Sequence, residues 1–136
     1  MSAKQEAHTL AKREKKSSSN VEAADKLLAD IVDSLDDHKA EDVIVINLHG
    51  KSDIADYMVI ASGRSGRQVA TMADNLVLVA KAHGVIGAVP EGRGQADWVL
   101  LDAGDVIIHL FRPEVREFYN LEKMWEVDLT ESDINT

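Results

Sequence analysis

Tyr57-Met-Val-Ile-Ala-Ser-Gly-Arg-Ser-Gly-Arg-Gln-Val69 begins as an unbroken apolar run and ends inside a helical pattern, with Ser62-Gly63 as the break between them. The first five residues read as a strand. From Val69 the apolar positions fall at Met72, Ala73, Leu76, Val79 and Ala80, which is one side of a helix, and Gly84 after Lys81 and His83 supplies its stop. Upstream, Val43-Ile-Val-Ile46 is apolar and β-branched at every position, as a central strand covered on both faces would be. Before it, Val21, Ala24, Leu28, Ile31 and Leu35, joined by Leu27 and Val32, form a helical stripe, with Ser19 and Glu22 at capping-box spacing. Downstream, Val85 to Val89 reads as a short strand and Pro90-Glu-Gly-Arg-Gly94 as a loop. Trp98 to Leu101 and Val106 to Phe111 flank Asp102-Ala-Gly-Asp105 as a hairpin, with Gly104 free to take a positive φ. Pro113 suits the first turn of a final helix and Glu114 its positive end. The expected fold class is α/β (α+β): a mixed sheet of about five strands with helices packed on it.

A chain of 136 residues is the size of one domain. Residues 1–19, with Lys12, Arg13, Lys15 and Lys16 before three serines, read as a disordered basic tail; 20–127 is the domain; 128–136 is an acidic flexible tail. The formal charge is −9, yet residues 1–20 carry five basic and two acidic groups, so the remainder stands at −12. An acidic body repels phosphate backbones and attracts basic surfaces, which favours a protein partner, while the tail's charge allows weak contact with RNA. The absence of cysteine removes disulfides and thiolate chemistry and fits a reducing compartment. No apolar run is long enough for a membrane span or a signal peptide, so a cytoplasmic protein is expected.

Most chemistry can be set aside. Gly63-Arg-Ser-Gly66-Arg67 lacks the ending of a phosphate loop, and Ser65 with Gln68 makes a capping box instead. The five histidines, His8, His38, His49, His83 and His109, have no metal-ligand spacing, and neither a metal nor a cofactor is expected. His109, alternating with Ile107 and Phe111, reads as a hydrogen-bonded core or edge histidine. Gly50, Lys51, Ser52 and Asp56 are distantly similar to a nucleotidyltransferase pattern, but Met58 stands where a second metal-binding acid belongs. Asp56 then reads as a polar strand-start residue that could pair with Lys51. What remains is aromatic surface: Trp98, on a face with Leu100 and Asp102, and Tyr119 and Trp125 among charged neighbours. Spacing alone makes Trp125 a core residue and leaves Trp98 open between core and interface.

Ser52-Asp-Ile-Ala-Asp-Tyr-Met-Val-Ile-Ala-Ser-Gly63 with Ser65-Gly-Arg-Gln-Val69 resembles the first signature block of the ribosomal silencing (Iojap) family. Ala96-Asp-Trp-Val-Leu-Leu-Asp102, His109-Leu-Phe111 and Arg116-Glu-Phe-Tyr-Asn-Leu-Glu122 to Trp125 resemble its second, and the similarity covers about residues 21–127. The resemblance implies a nucleotidyltransferase-like fold without catalysis. It also implies binding to the fourteenth protein of the large ribosomal subunit, which blocks subunit joining and represses translation when nutrients are short. Carried onto this chain, the partner surface would include Trp98, Asp102, Arg112, Pro113 and Arg116. Two alternatives stand beside it: a nucleotide-binding enzyme using Asp56, Ser65 and Arg67, and a homodimer joined through the aromatic face when the chain is free.

Overall fold

The computed structural model describes residues 18–121 and 123. The two expected tails, apart from Ser18 and Ser19, and Trp125 lie outside the described residues. The elements follow in the order α1 (Ser18–Asp37), β1 (Glu41–Asn47), β2 (Tyr57–Ser62), α2 (Gly66–Ala82), β3 (Trp98–Asp102), β4 (Val106–Phe111) and α3 (Pro113–Tyr119). The four strands lie in the order β1-β2-β4-β3, with β2 and β4 parallel and both outer pairs antiparallel. This is a mixed α+β fold.

The main core cluster lies on one face of the sheet. Ala24, Leu27, Ile31 and Leu35 of α1 are buried, as the helical stripe requires, and α2 contributes Val69, Met72, Ala73, Leu76 and Ala80. Both stripes pack on Val59 and Ala61 of β2, Val99 and Leu101 of β3, and Val106, Ile108 and Leu110 of β4. Each fully buried leucine, isoleucine or valine contributes roughly 1.5–3 kcal/mol, so this face supplies most of the driving force for folding. A hydrogen bond from Tyr57 Oη to Asp25 Oδ1 at 2.7 Å ties α1 to the start of β2 and raises the Tyr57 pKa.

Local signals explain the ends of α2. Ser65 takes extended backbone angles and its Oγ accepts from the Gln68 amide at 3.1 Å. Gln68 Oε1 reaches back to the amide of Arg64 at 2.7 Å, one residue earlier than in a standard capping box. Its Nε2 donates to the carbonyls of His38 and Lys39, which fastens the end of α1 to the start of α2. At the other end Gly84 has φ +87° and Val85 N bonds Ala80 O, closing the helix with a left-handed residue. Pro113 occupies the first turn of α3, and the β3–β4 turn has Gly104 at φ +85° with its amide on Asp102 Oδ1.

Three expectations are corrected. β1 is an edge strand rather than a central one, and its Val45 is 43% exposed. Its β-branched composition suits the pleated backbone and two half-covered faces, while β2 takes the central place. Val85–Val89 forms no strand, so the described sheet has four strands and not five. Gly87 at φ +86° turns the chain out of the extended region and Pro90 lacks a donor, leaving a single bridge from Glu91 to Leu100. Finally, Ser19, expected to cap α1, lies within the helix.

Candidate functional site

Alternation along the strands sends Ile44, Ile46, Met58, Ile60, Ile107, His109, Phe111, Trp98, Leu100 and Asp102 to the face opposite α1 and α2. Among the described residues the short α3 lies over it, at the end where β3 starts and β4 stops, and Ile60, His109 and Phe111 are buried on this face. Ile44, Ile46, Met58, Leu100 and Ile107 remain half-buried there, so one side of the sheet stays partly open.

The aromatic residues gather at the α3 end. Trp98 is half-buried, with its ring 5.1 Å from Phe111 in a stacked arrangement and 4.6 Å from Tyr119 in a tilted one. Its indole N–H donates to His109 Nδ1 at 3.0 Å. The Trp98 ring is thus flanked by Phe111 and Tyr119 and has its polar edge committed to His109, while its uncovered part borders a groove. That groove, about 780 Å³, lies between β3, the loop before it and α3, lined by Gly92, Gln95, Asp97, Trp98, Val115 and Tyr119 among others.

The bond to Trp98 requires His109 Nδ1 to be unprotonated. Burial pushes the His109 pKa down to about 4, so the ring is neutral at physiological pH. Because the folded-state pKa lies below the unfolded value near 6.5, this histidine's contribution is complete above pH 6.5 and is lost as pH falls toward 4. Wild type is expected to lose on the order of 2 kcal/mol more than His109→Asn across that window. Denaturant unfolding at stepped pH measures it; parallel curves for the two proteins would show that His109 is not the titrating group.

Asp102 is exposed at the far end of β3, in the hairpin turn. Arg112 lies at the entry to α3, ion-paired through Nε with Asp97 at 2.9 Å and Glu114 at 3.2 Å, and Pro113 beside it is exposed. Arg116 faces inward: it is 8% exposed and donates from Nη1 to Ser62 Oγ at 2.8 Å, on the side of α3 away from the groove. The structure thus brings Trp98, Arg112 and Pro113 to one end, sets Asp102 at the other end of the same strand, and uses Arg116 to hold α3 on the sheet.

Two features had no signal in the sequence. Asp56, 2% exposed, takes His49 Nε2 at 3.2 Å, a pairing across a loop that no periodicity reveals. The Gly92–Gly94 stretch is not a passive connection but one wall of the groove, with Gly92 at φ +84° close against the Trp98 carbonyl. Among the described residues no group of three or more His, Asp or Glu side chains is placed to hold a metal ion. No helix among them is long and apolar enough to cross a membrane.

A profile of the family described as "Ribosomal silencing factor during starvation" matches residues 21–136. "Ribosomal silencing factor RsfS" of Zymomonas mobilis is 62% identical over 100 residues, which is 73% of this chain and 74% of that protein. The mouse "Mitochondrial assembly of ribosomal large subunit protein 1" is 38% identical over 99 residues, 70% of this chain and 43% of that protein. A crystal structure of a Chromobacterium violaceum protein superposes with a TM-score of 0.70 at 33% identity, covering 75% of this chain and 85% of that one.

Proposed function

Because the chain belongs to the ribosomal silencing factor family, we propose that it docks on the large ribosomal subunit through the subunit's fourteenth protein and blocks joining of the small subunit. The observation that carries this reading is the half-open sheet face ending in the Trp98 groove, a surface with rigid aromatic anchors on an acidic body. Such a surface suits a basic ribosomal protein, since aromatic rings bury area at little entropic cost and opposite charge steers the encounter. Trp98 and Asp102 would meet the partner from the sheet, Arg112 and Pro113 from the shoulder of α3, with Arg116 keeping that shoulder in place. Inhibition then needs occupancy alone, with no turnover. The name of the mouse relative, which speaks of large-subunit assembly, supports the same partner. The open face would also join two copies when no subunit is present, and the basic N-terminal tail would add weak contact with ribosomal RNA.

A catalytic role has less support. Asp56 stands just before β2 while Ser65 and Arg67 stand beyond its end, so the strand separates them by roughly 20 Å. Ser65 Oγ is engaged as a helix cap, and Met58 occupies the position of the second acid. A mixed sheet with Asp56 ahead of β2 is compatible with a nucleotidyltransferase-like fold that has lost its chemistry.

The test is co-sedimentation of the protein with purified large subunits, followed by addition of small subunits. Pelleting together with reduced subunit joining is expected. Failure to pellet at micromolar protein would sink the docking reading.

A further inference from the structure

The tip of the groove wall, Gly92 to Gln95, has little packing of its own, since all four residues are exposed, whereas Ala96 behind them is buried in the core. Its ends are fixed by backbone. Glu91 exchanges two hydrogen bonds with Leu100, at 2.8 and 3.0 Å, and the amide of Arg112 holds the carbonyl of Asp97 at 3.1 Å. Between those ends, Gly92 O accepts from Ala96 N at 2.9 Å, which closes the loop on itself, while Gln95 and Ala96 lie beside Gly66 at the start of α2. Arg93 ties the tip to the flank of the same helix. Its Nε meets Asp74 Oδ1 at 2.7 Å and its Nη2 meets Oδ2 at 2.6 Å, a two-pronged contact with the exposed flank of α2.

We propose that the Arg93–Asp74 pair is a positioning device that sets the width of the Trp98 groove and thereby the affinity for the partner seated there. The inference rests on the docking reading above. Arg93 points to α2 and does not line the groove, whereas its neighbours Gly92, Gly94 and Gln95 do. It therefore acts on the partner only through the backbone it holds. Bidentate geometry is what suits the pair to this task, because two parallel bonds fix direction as well as distance and a lysine could not reproduce them. The bond to Arg93 also holds the Asp74 carboxyl below the usual carboxylate range, so the pair stays ionised at neutral pH.

Both side chains are about half exposed, so the pair adds little to global stability and its effect should appear in binding rather than in melting. The experiment measures large-subunit affinity by co-sedimentation for wild type, Arg93→Ala, Asp74→Ala, the double alanine variant, and the exchanged pair Arg93→Asp with Asp74→Arg. Each single variant is expected to bind about fivefold more weakly, the double variant no more weakly than either single, and the exchanged pair to recover most of the loss. Melting temperatures should agree within about 3 °C. In parallel, Asp74→Ala should speed tryptic cleavage after Arg93, since the loosened tip enters a protease more readily. If wild type binds and the variants bind equally well, the pair does not set the groove and the proposal fails while the docking reading stands. If wild type itself does not bind, both fall together.

Discussion

Trp98→Ala is expected to weaken binding to large subunits by about thirtyfold and to lower the stability of the free protein by roughly 2 kcal/mol. The two effects have separate causes. Stability falls because the ring stacks on Phe111, meets Tyr119 at a tilt and gives its N–H to His109, so truncation leaves a void under α3 and an unpaired acceptor. Half-burial keeps the cost below that of a tryptophan sealed in a core. Affinity falls because the uncovered part of the ring borders the groove beside the exposed Tyr119 ring. A cost of about 2 kcal/mol corresponds to a shift of roughly 10 °C in a domain of this size, so binding measured at 10 °C compares folded proteins. Trp98→Phe separates the contributions further: it keeps a stacked ring, loses the bond to His109, and should retain more affinity than alanine. Normal binding by a folded Trp98→Ala protein would remove this residue from the interface.

Gly92→Ala is the second large effect. A β-carbon at this position would lie 2.3 Å from the Trp98 carbonyl oxygen, a backbone atom that cannot swing aside as a side-chain tip would. The residue also has φ +84°, where an L-residue costs roughly 1–2 kcal/mol before any clash. Relief requires the loop to move off β3, which breaks the paired bonds between Glu91 and Leu100 and displaces the groove wall. The expected outcome is a loss of at least about 2 kcal/mol in denaturant unfolding, together with weakened subunit binding. Gly94→Ala is the matched control: nothing lies within 4 Å of its added carbon, and it should change stability by less than about 0.5 kcal/mol. Equal behaviour of the two variants would contradict the close approach seen at Gly92.

What could be read from the residues was whatever is decided locally. The cap at Ser65 with Gln68, the stop at Gly84, the turn at Gly104 and the start of α3 at Pro113 depend on a few adjacent side chains, and each is found in place. The buried stripes of α1 and α2 follow from helical periodicity in the same way. Sheet order does not. Val43–Ile46 and Tyr57–Ala61 are equally apolar, and only pairing with β4, far along the chain, decides which is central. Val85–Val89 has strand composition, but one glycine with positive φ overrides it. The candidate site divides along the same line. His109 as a bonded histidine was legible from its apolar neighbours, and Trp98 stood out as an aromatic strand residue that the family resemblance then assigned to the partner surface. Its Phe111 and Tyr119 neighbours, the inward turn of Arg116 and the Arg93–Asp74 pair are tertiary contacts without a periodic signature.

The parallel pairing of β2 with β4 also has a consequence in time. β1 and β2 are neighbours in the chain and can form their hairpin as soon as both are synthesised, but the inner edge of β2 has no partner until Val106–Phe111 follows. Ser62 and Val106 are 44 positions apart, so at typical elongation rates that edge waits about 2–9 s. Throughout the wait an apolar strand, Met58 to Ala61, presents unpaired backbone to the surroundings. The nascent chain is thus most vulnerable to aggregation in the interval between its second and fourth strands, and changes that slow synthesis of residues 63–105 would lower the yield of folded protein without altering its final stability.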